Sequence, residues 1–455
     1  MDRDGLAIVP EAAPVVLFPP QPDGGQPRAG PAGAAQRDRK QAGSTAPAGR
    51  RGEFRALRTR PFRIYFLGQI ASASGTFLQQ TAIGWLVLQL TGNAAALGLV
   101  LAVGGIPSLL LGPWGGTIAD RVDLRRLLIA TQAAYCVLAG LLWALAVAGD
   151  ASVPVIVAIS VASGFVQIVD SPARQAFVSA LVEPEDLTSA VSLNGVVINS
   201  ARVVGPAVAG ALIATVGTTP CFGVNALSYL AVIAALAVIR PLRSSRPRHA
   251  VRGGVREGLR YAMGRQQLWL PLAMMALVGL LSFNFAVILP VLASDTFHGH
   301  GGLYGLLSTM LSIGSVAGSL GVGLIRHPRR QYLVATALAF GIFLTGTALA
   351  PDAAVACVAL LLTGAAAFSF VTLCSTTLQL HSAPDYRGRI MALWVFVYIG
   401  TTPVGSIITG AISSAGGPRV ALLTGAGACL VAAAIAARVR TPPNPDAALS
   451  DLASG

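Results

Sequence analysis

Two charged positions interrupt otherwise apolar stretches of this sequence. Arg202 sits in INSARVVGPAVAG, four residues ahead of a proline, and Asp170 stands four residues before Arg174 in QIVDSPARQAF. A fixed cation deep in an apolar segment costs about 2.5–3.5 kcal/mol to insert, so Arg202 must face water, an acid or an anionic ligand. Asp170 is the nearest acid by depth, but its spacing from Arg174 favours a local pair one helical turn apart. Catalysis is a poor fit: no histidine falls inside an apolar run, and no nucleophile stands with a base, which argues against an intramembrane enzyme. His298 and His300, in HGHGG, share a glycine-rich turn with no further ligand. Cys136, Cys221, Cys357, Cys374 and Cys429 are scattered through apolar runs, as small buried hydrophobes are. The expectation is no cofactor and no metal.

The elements that position these residues must span a membrane. Of the 455 residues 54% are hydrophobic and only 11% charged, and the mean hydropathy is +0.68. An ordinary soluble domain carries about 25% charged residues. Apolar spans fall near 64–90, 97–119, 127–148, 151–172, 187–216, 219–239, 268–293, 303–325, 331–350, 353–376, 388–413 and 419–437. Each is about the length needed to cross a hydrocarbon core. The net charge of +13 does not imply nucleic acid, because the arginines sit in short loops between apolar runs without interleaved aromatics.

Those arginines also orient the chain. They fill the approach to the first span and alternate loops after it, whereas the intervening loops carry none apart from Arg419. By the positive-inside rule both termini are cytoplasmic. The expected organisation is a disordered tail over 1–60, a six-helix bundle over 61–239, a basic cytoplasmic loop over 240–267, a second bundle over 268–440 and a disordered tail over 441–455. Asp2, Asp4 and the early prolines do not suit a secretory leader. The loop carries eight arginines between Arg240 and Arg265, which suits contact with anionic lipid at the cytoplasmic face.

A shift of 200 residues lays PEDLTSAVSLNGVVINSARVVGPAVAGALIATVG on PDYRGRIMALWVFVYIGTTPVGSIITGAISSAGG. Pro184 meets Pro384, Gly205 meets Gly405, Gly210 meets Gly410 and Gly217 meets Gly417. Two repeated bundles are the pattern of an alternating-access carrier, with its site at their interface. The fold class expected is an all-α membrane protein, twelve transmembrane helices in two pseudo-symmetric six-helix bundles.

GGTIADRVDLRR, through Gly116, Asp120, Arg121 and Arg125, resembles the cytoplasmic loop signature of the major facilitator superfamily, G-x-L-a-D-R-x-G-R-r. The resemblance implies a charge relay that latches the cytoplasmic side. Asp123 stands in place of a glycine and Leu124 in place of a basic residue, and the second-half counterpart GVGLIRHPRR has no acid, so the latch is expected in the first half only. Asp123 itself suits a helix N-cap.

ARVVGPAVAG, with Arg202, Gly205, Pro206 and Gly210, resembles the fifth-helix signature of exporters in that superfamily. Pro206 withholds an N–H from the carbonyl of Arg202 and should loosen the helix there, while Ala201, Gly205 and Ala209 form a smooth stripe for close packing. With PDYRGRIMALW, containing Asp385, Arg387 and Arg389, the longer string is similar to the enterobactin-exporter and macrolide-efflux branch. That resemblance implies outward movement of a small amphipathic molecule by proton antiport, in a monomer. An importer in the same fold, or a membrane sensor or scaffold, is the alternative. The fourth-helix arginine of many drug exporters is absent, with Ser160 at its place. In the superfamily helices one, four, seven and ten line the path, which here offers Gln69, Ser72, Thr76, Gln80, Gln167, Phe283, Asn284, Phe368 and Ser369.

Overall fold

The computed structural model describes residues 55–119, 121–239, 255–323, 325 and 329–439. Expectations about residues 1–54, 240–254 and 440–455 and about Asp120 fall outside the described residues; within the expected first tail, Arg55–Arg58 form a 3-10 turn with Ala56 buried, and Arg60 begins the first helix. The described chain is helical: α1 (Arg60–Thr91), α2 (Ala94–Ala119), α3 (Leu124–Ala148), α4 (Val153–Ala180), α5 (Leu187–Val216) and α6 (Thr219–Val238) make the first half. A short helix, α7 (Val255–Met263), precedes the second half of α8 (Gln266–Leu281), α9 (Phe285–Val291), α10 (Gly301–Val322), α11 (Arg330–Ala348), α12 (Ala353–His381) and α13 (Pro384–Arg438).

Twelve spans result once two of these are read physically. α8, α9 and a wider π-turn over Leu292–Thr296 form one interrupted span. α13 is two helices meeting at Gly417, whose φ of 84° and ψ of 167° lie in a region that only glycine occupies comfortably. Gly217, its counterpart, ends α5 with φ 89° and ψ −175°. α4 and α12 run past their apolar stretches, because a helix need not stop where the hydrocarbon does. Asp170 and Arg174 consequently lie inside a helix.

Both halves pack alike. α1 packs on α5, α2 on α4 and α3 on α6; correspondingly α8 packs on α13, α10 on α12 and α11 on α13. Their connections to helix ends also repeat. Arg125 Nε donates to the Leu236 carbonyl at 2.6 Å and its Nη2 to Ala237 at 2.5 Å, while Arg330 donates to the carbonyls of Val439 and Ala437. In each case an arginine at the start of a third helix satisfies the orphan carbonyls, and the negative dipole end, of a sixth. Arg419, the exception among the arginine-poor loops, donates to Ala350 at the end of α11.

The halves meet along two matching seams, α5 against α10 and α2 against α13. In the first, a Cβ on Gly210 would fall 2.8 Å from Gly305 Cα; in the second, a Cβ on Gly410 would fall 3.2 Å from Gly98 Cα. Only glycine pairs let backbones approach this closely. Trp85 of α1 stacks on Tyr304 of α10 nearby, with ring centres 6.2 Å apart. These contacts lie toward the arginine-poor end.

Candidate functional site

Three groups of polar residues stand out within the spans. The first surrounds Asp170, which is only 4% exposed. Its Oδ1 accepts from Thr131 Oγ1 at 2.7 Å and Gln132 Nε2 at 2.9 Å, both on α3. Arg174 Nη2 donates to Oδ2 at 2.5 Å, and Nη1 donates to Gln69 Oε1 of α1 at 2.5 Å. The carboxylate thus has partners on both oxygens, and the network joins helices one, three and four. Thr131 and Gln132 escaped the sequence reading because a threonine and a glutamine inside an apolar helix carry no signal until the facing helix is known.

The second group lies along α1. Ser72 is buried; Thr76 donates to the Ser72 carbonyl at 2.9 Å and lies 3.2 Å from Tyr229 Oη of α6. Asn225 Nδ2 donates to Gln79 Oε1 at 2.7 Å. Gln69, Ser72 and Thr76 therefore take part in the interior of the first half, whereas Gln80 is exposed. Gln167 is exposed as well and accepts from Ser108 Oγ at 3.1 Å.

The third group bridges the two halves. Arg202 lies near the middle of α5, which runs unbroken through Pro206. Its guanidinium carbon is 5.8 Å from the Phe77 ring centre of α1 and 4.8 Å from that of Phe368 on α12, in the opposite half. Asp170 is held by its own partners, and among the described residues Arg202 forms no ion pair. Phe368 packs edge-on to Phe283 at 6.0 Å, and Phe283 also meets Phe340 at 5.3 Å and Tyr398 at 6.3 Å. Phe283 and Asn284 occupy the interruption between α8 and α9. There Asn284 Nδ2 donates to the Leu280 carbonyl at 2.8 Å, which satisfies a carbonyl freed by the break, and Ser282 Oγ donates to the Gly425 carbonyl of α13 at 2.8 Å, which ties the break to that helix. Ser369 donates to Gly318 at 3.0 Å and so joins α12 to α10.

The loop signatures serve as joints. Asp123 accepts from the Arg126 N–H at 2.8 Å as the N-cap of α3; Arg121 is exposed, and Gly116 lies in α2. At the start of α13 Asp385 and Arg387 are exposed, while Arg389 Nη1 lies 2.9 Å from Glu257 Oε1 of α7. Tyr261 of α7 stacks flat on Tyr386 with centres 4.0 Å apart. In the first half Arg55 pairs with Asp186 at 3.2 Å and the Ala56 N–H bonds Ser189. Asp186 and Ser189 are the positions matched to Tyr386 and Arg389, so each half ties the segment before its first helix to the start of its fifth. α7, within the expected loop over 240–267, turns Leu259 and Met263 outward; its nine residues are too short to stand out as an apolar run in the sequence.

Two six-helix halves related by a repeat, seamed by glycine pairs and carrying Arg202 between them, define a secondary carrier of small molecules that works by alternating access. Residues 51–453 match the family described as transmembrane secretion effector, and the chain belongs to this family of the major facilitator superfamily. It is a multi-pass protein of the bacterial inner membrane and a carrier, not an enzyme.

Similar proteins include the staphyloferrin A transporter of Staphylococcus aureus, 28% identical over 57% of this chain and 66% of its own length. The multidrug efflux pump Tap of Mycobacterium tuberculosis is 25% identical over 80% of this chain and 89% of its own. Macrolide efflux protein A of Streptococcus pyogenes is 23% identical over 76% and 88%. Among solved structures, a bacterial homolog of the human lysosomal transporter Spinster, inward-facing and unoccupied, superposes with a TM-score of 0.70 at 14% identity, covering 85% of this chain and 99% of that one. A D-xylose-proton symporter gives 0.64 at 16%, covering 84% and 96%. At these identities the solved structures establish the fold alone.

Proposed function

We propose that the protein exports a small amphipathic organic molecule, a drug, siderophore or secondary metabolite, in exchange for protons. The observation that carries this reading is the seam built on the exporter-like signature. A Cβ on Gly205 would fall 2.5 Å from Phe77 Cβ and 2.9 Å from the Ser74 carbonyl, so α5 is pressed against α1, while Gly210 is pressed against Gly305 of the other half. Such packing seals the path at the arginine-poor end. With both termini cytoplasmic, as the arginine distribution favours, that end is external and the sealed state receives substrate from the cell interior. The named activities of the efflux relatives agree with this direction.

Asp170, Asp120 and Arg202 are the charged candidates for coupling in this scheme. Arg174 bridges Asp170 to Gln69 of α1, so a charge change at this pair has a direct route to helix packing. The test uses everted vesicles with an acidic interior and a pH-sensitive dye, screened with amphipathic antibiotics and siderophores. Wild type should release protons on substrate addition and concentrate the substrate inside; Asp170→Asn should abolish the proton signal. Substrate uptake without proton movement would rule out antiport, and absence of concentrative uptake would rule out export.

A further inference from the structure

We infer that Arg202 is the anion-recognising group of the transport path, and that the path accepts flat aromatic amphipaths bearing a carboxylate. This rests on the exporter reading above and names its substrate class. A guanidinium is satisfied in two ways: its faces stack on aromatic rings, and its edges donate a planar fork of hydrogen bonds that fits a carboxylate. Among the described residues Arg202 has the first and lacks the second. Phe77 and Phe368 cover it at 5.8 and 4.8 Å, yet its Nε is buried without a hydrogen-bond partner. The other cations within the first-half network are accounted for: Arg174 by Asp170 and Gln69, Arg125 by the carbonyls of α6.

The surroundings supply the rest of the ligand's chemistry. Phe368 continues into Phe283, Phe340 and Tyr398, and Phe283 stands at the helix interruption, where irregular backbone is tolerated beside a path. An apolar ring system can lie along these faces while its carboxylate meets the guanidinium edge. The site is also divided between halves, since Arg202 and Phe77 belong to one and Phe368 to the other. Rocking the halves separates the rings that hold the guanidinium, so a ligand seated there experiences the two states differently, as a carried substrate must.

The test is equilibrium dialysis of the full chain in lipid nanodiscs, with empty nanodiscs subtracted, using naphthaleneacetate and its neutral analogue naphthaleneacetamide. Wild type should bind the acid at least tenfold tighter than the amide. Arg202→Gln should bring that ratio to about one with amide binding retained, Arg202→Lys should leave a reduced preference, and Phe368→Leu should weaken both probes together. If Arg202→Gln is unfolded by thermal melting, the lysine and leucine variants decide. No binding of either probe to wild type, no preference, or a preference that survives loss of the guanidinium would overturn the assignment. No gradient is present in dialysis, so failure here leaves proton-driven export standing; failure of concentrative uptake in everted vesicles leaves the measured anion preference standing.

Discussion

Asp170 gathers two donors from α3 and one from its own helix, and its cost and value follow from that. With three hydrogen bonds and a cation beside it, the carboxylate is compensated where water is scarce. Removing one partner of a buried pair typically costs about 3–5 kcal/mol, while replacing both is often close to neutral. Asp170→Asn should therefore lower thermal stability strongly, and the double variant Asp170→Asn, Arg174→Gln should recover much of the loss; differential scanning fluorimetry in detergent checks both. The pair was legible because a carboxylate and an arginine four apart on a helix face each other. The roles of Arg125 and Arg330 were not legible, since both bond backbone carbonyls, and every residue type supplies a carbonyl. Arg202 was legible as a problem, a cation in lipid-like sequence, but not as a bridge to Phe368, whose partner lies 166 positions away in the other half.

At the scale of elements, the hydrophobic runs gave the number and order of spans because a membrane imposes one length and one composition on each. Breaks inside them were harder to see. The SSAGGP stretch reads as a loop, yet only Gly417 leaves helical geometry and Pro418 starts the next helix at once. The interruption at Phe283 and Asn284 carries no proline or glycine to announce it; the break is compensated by Asn284 bonding back to the Leu280 carbonyl, while Ser282 ties it to α13. The glycine seam makes a clear prediction. A Cβ at position 305 would lie 2.3 Å from Gly210 Cα and 2.7 Å from its nitrogen, backbone atoms that cannot rotate aside. Gly305→Ala should push α10 from α5 without disturbing helix content by circular dichroism. Passive efflux of a trapped dye from proteoliposomes should rise severalfold, because the arginine-poor end no longer closes.

For the whole molecule, the repeat does more than halve the design problem. Equivalent glycines build the two seams, equivalent arginines tie third helices to sixth, and equivalent pre-helical segments dock on fifth helices, so each half holds its own shape while the two seams, with the Arg202–Phe368 and Trp85–Tyr304 contacts, join the two. Rigid halves with narrow contacts favour rocking over internal rearrangement. A cross-link at one seam tests this directly. A Cβ on Gly302 would lie 3.0 Å from Ala214 Cβ, near enough for the slight backbone adjustment a disulfide needs. In a background lacking the five native cysteines, Ala214→Cys with Gly302→Cys should oxidise readily and hold the halves together at the arginine-poor end. Turnover in vesicles should then fall to background and return on adding reductant, while binding of a ligand from the arginine-rich end persists in the oxidised protein. Continued turnover in the cross-linked form would mean that substrate crosses without separation of this seam, and movement within a half would then have to carry the cycle.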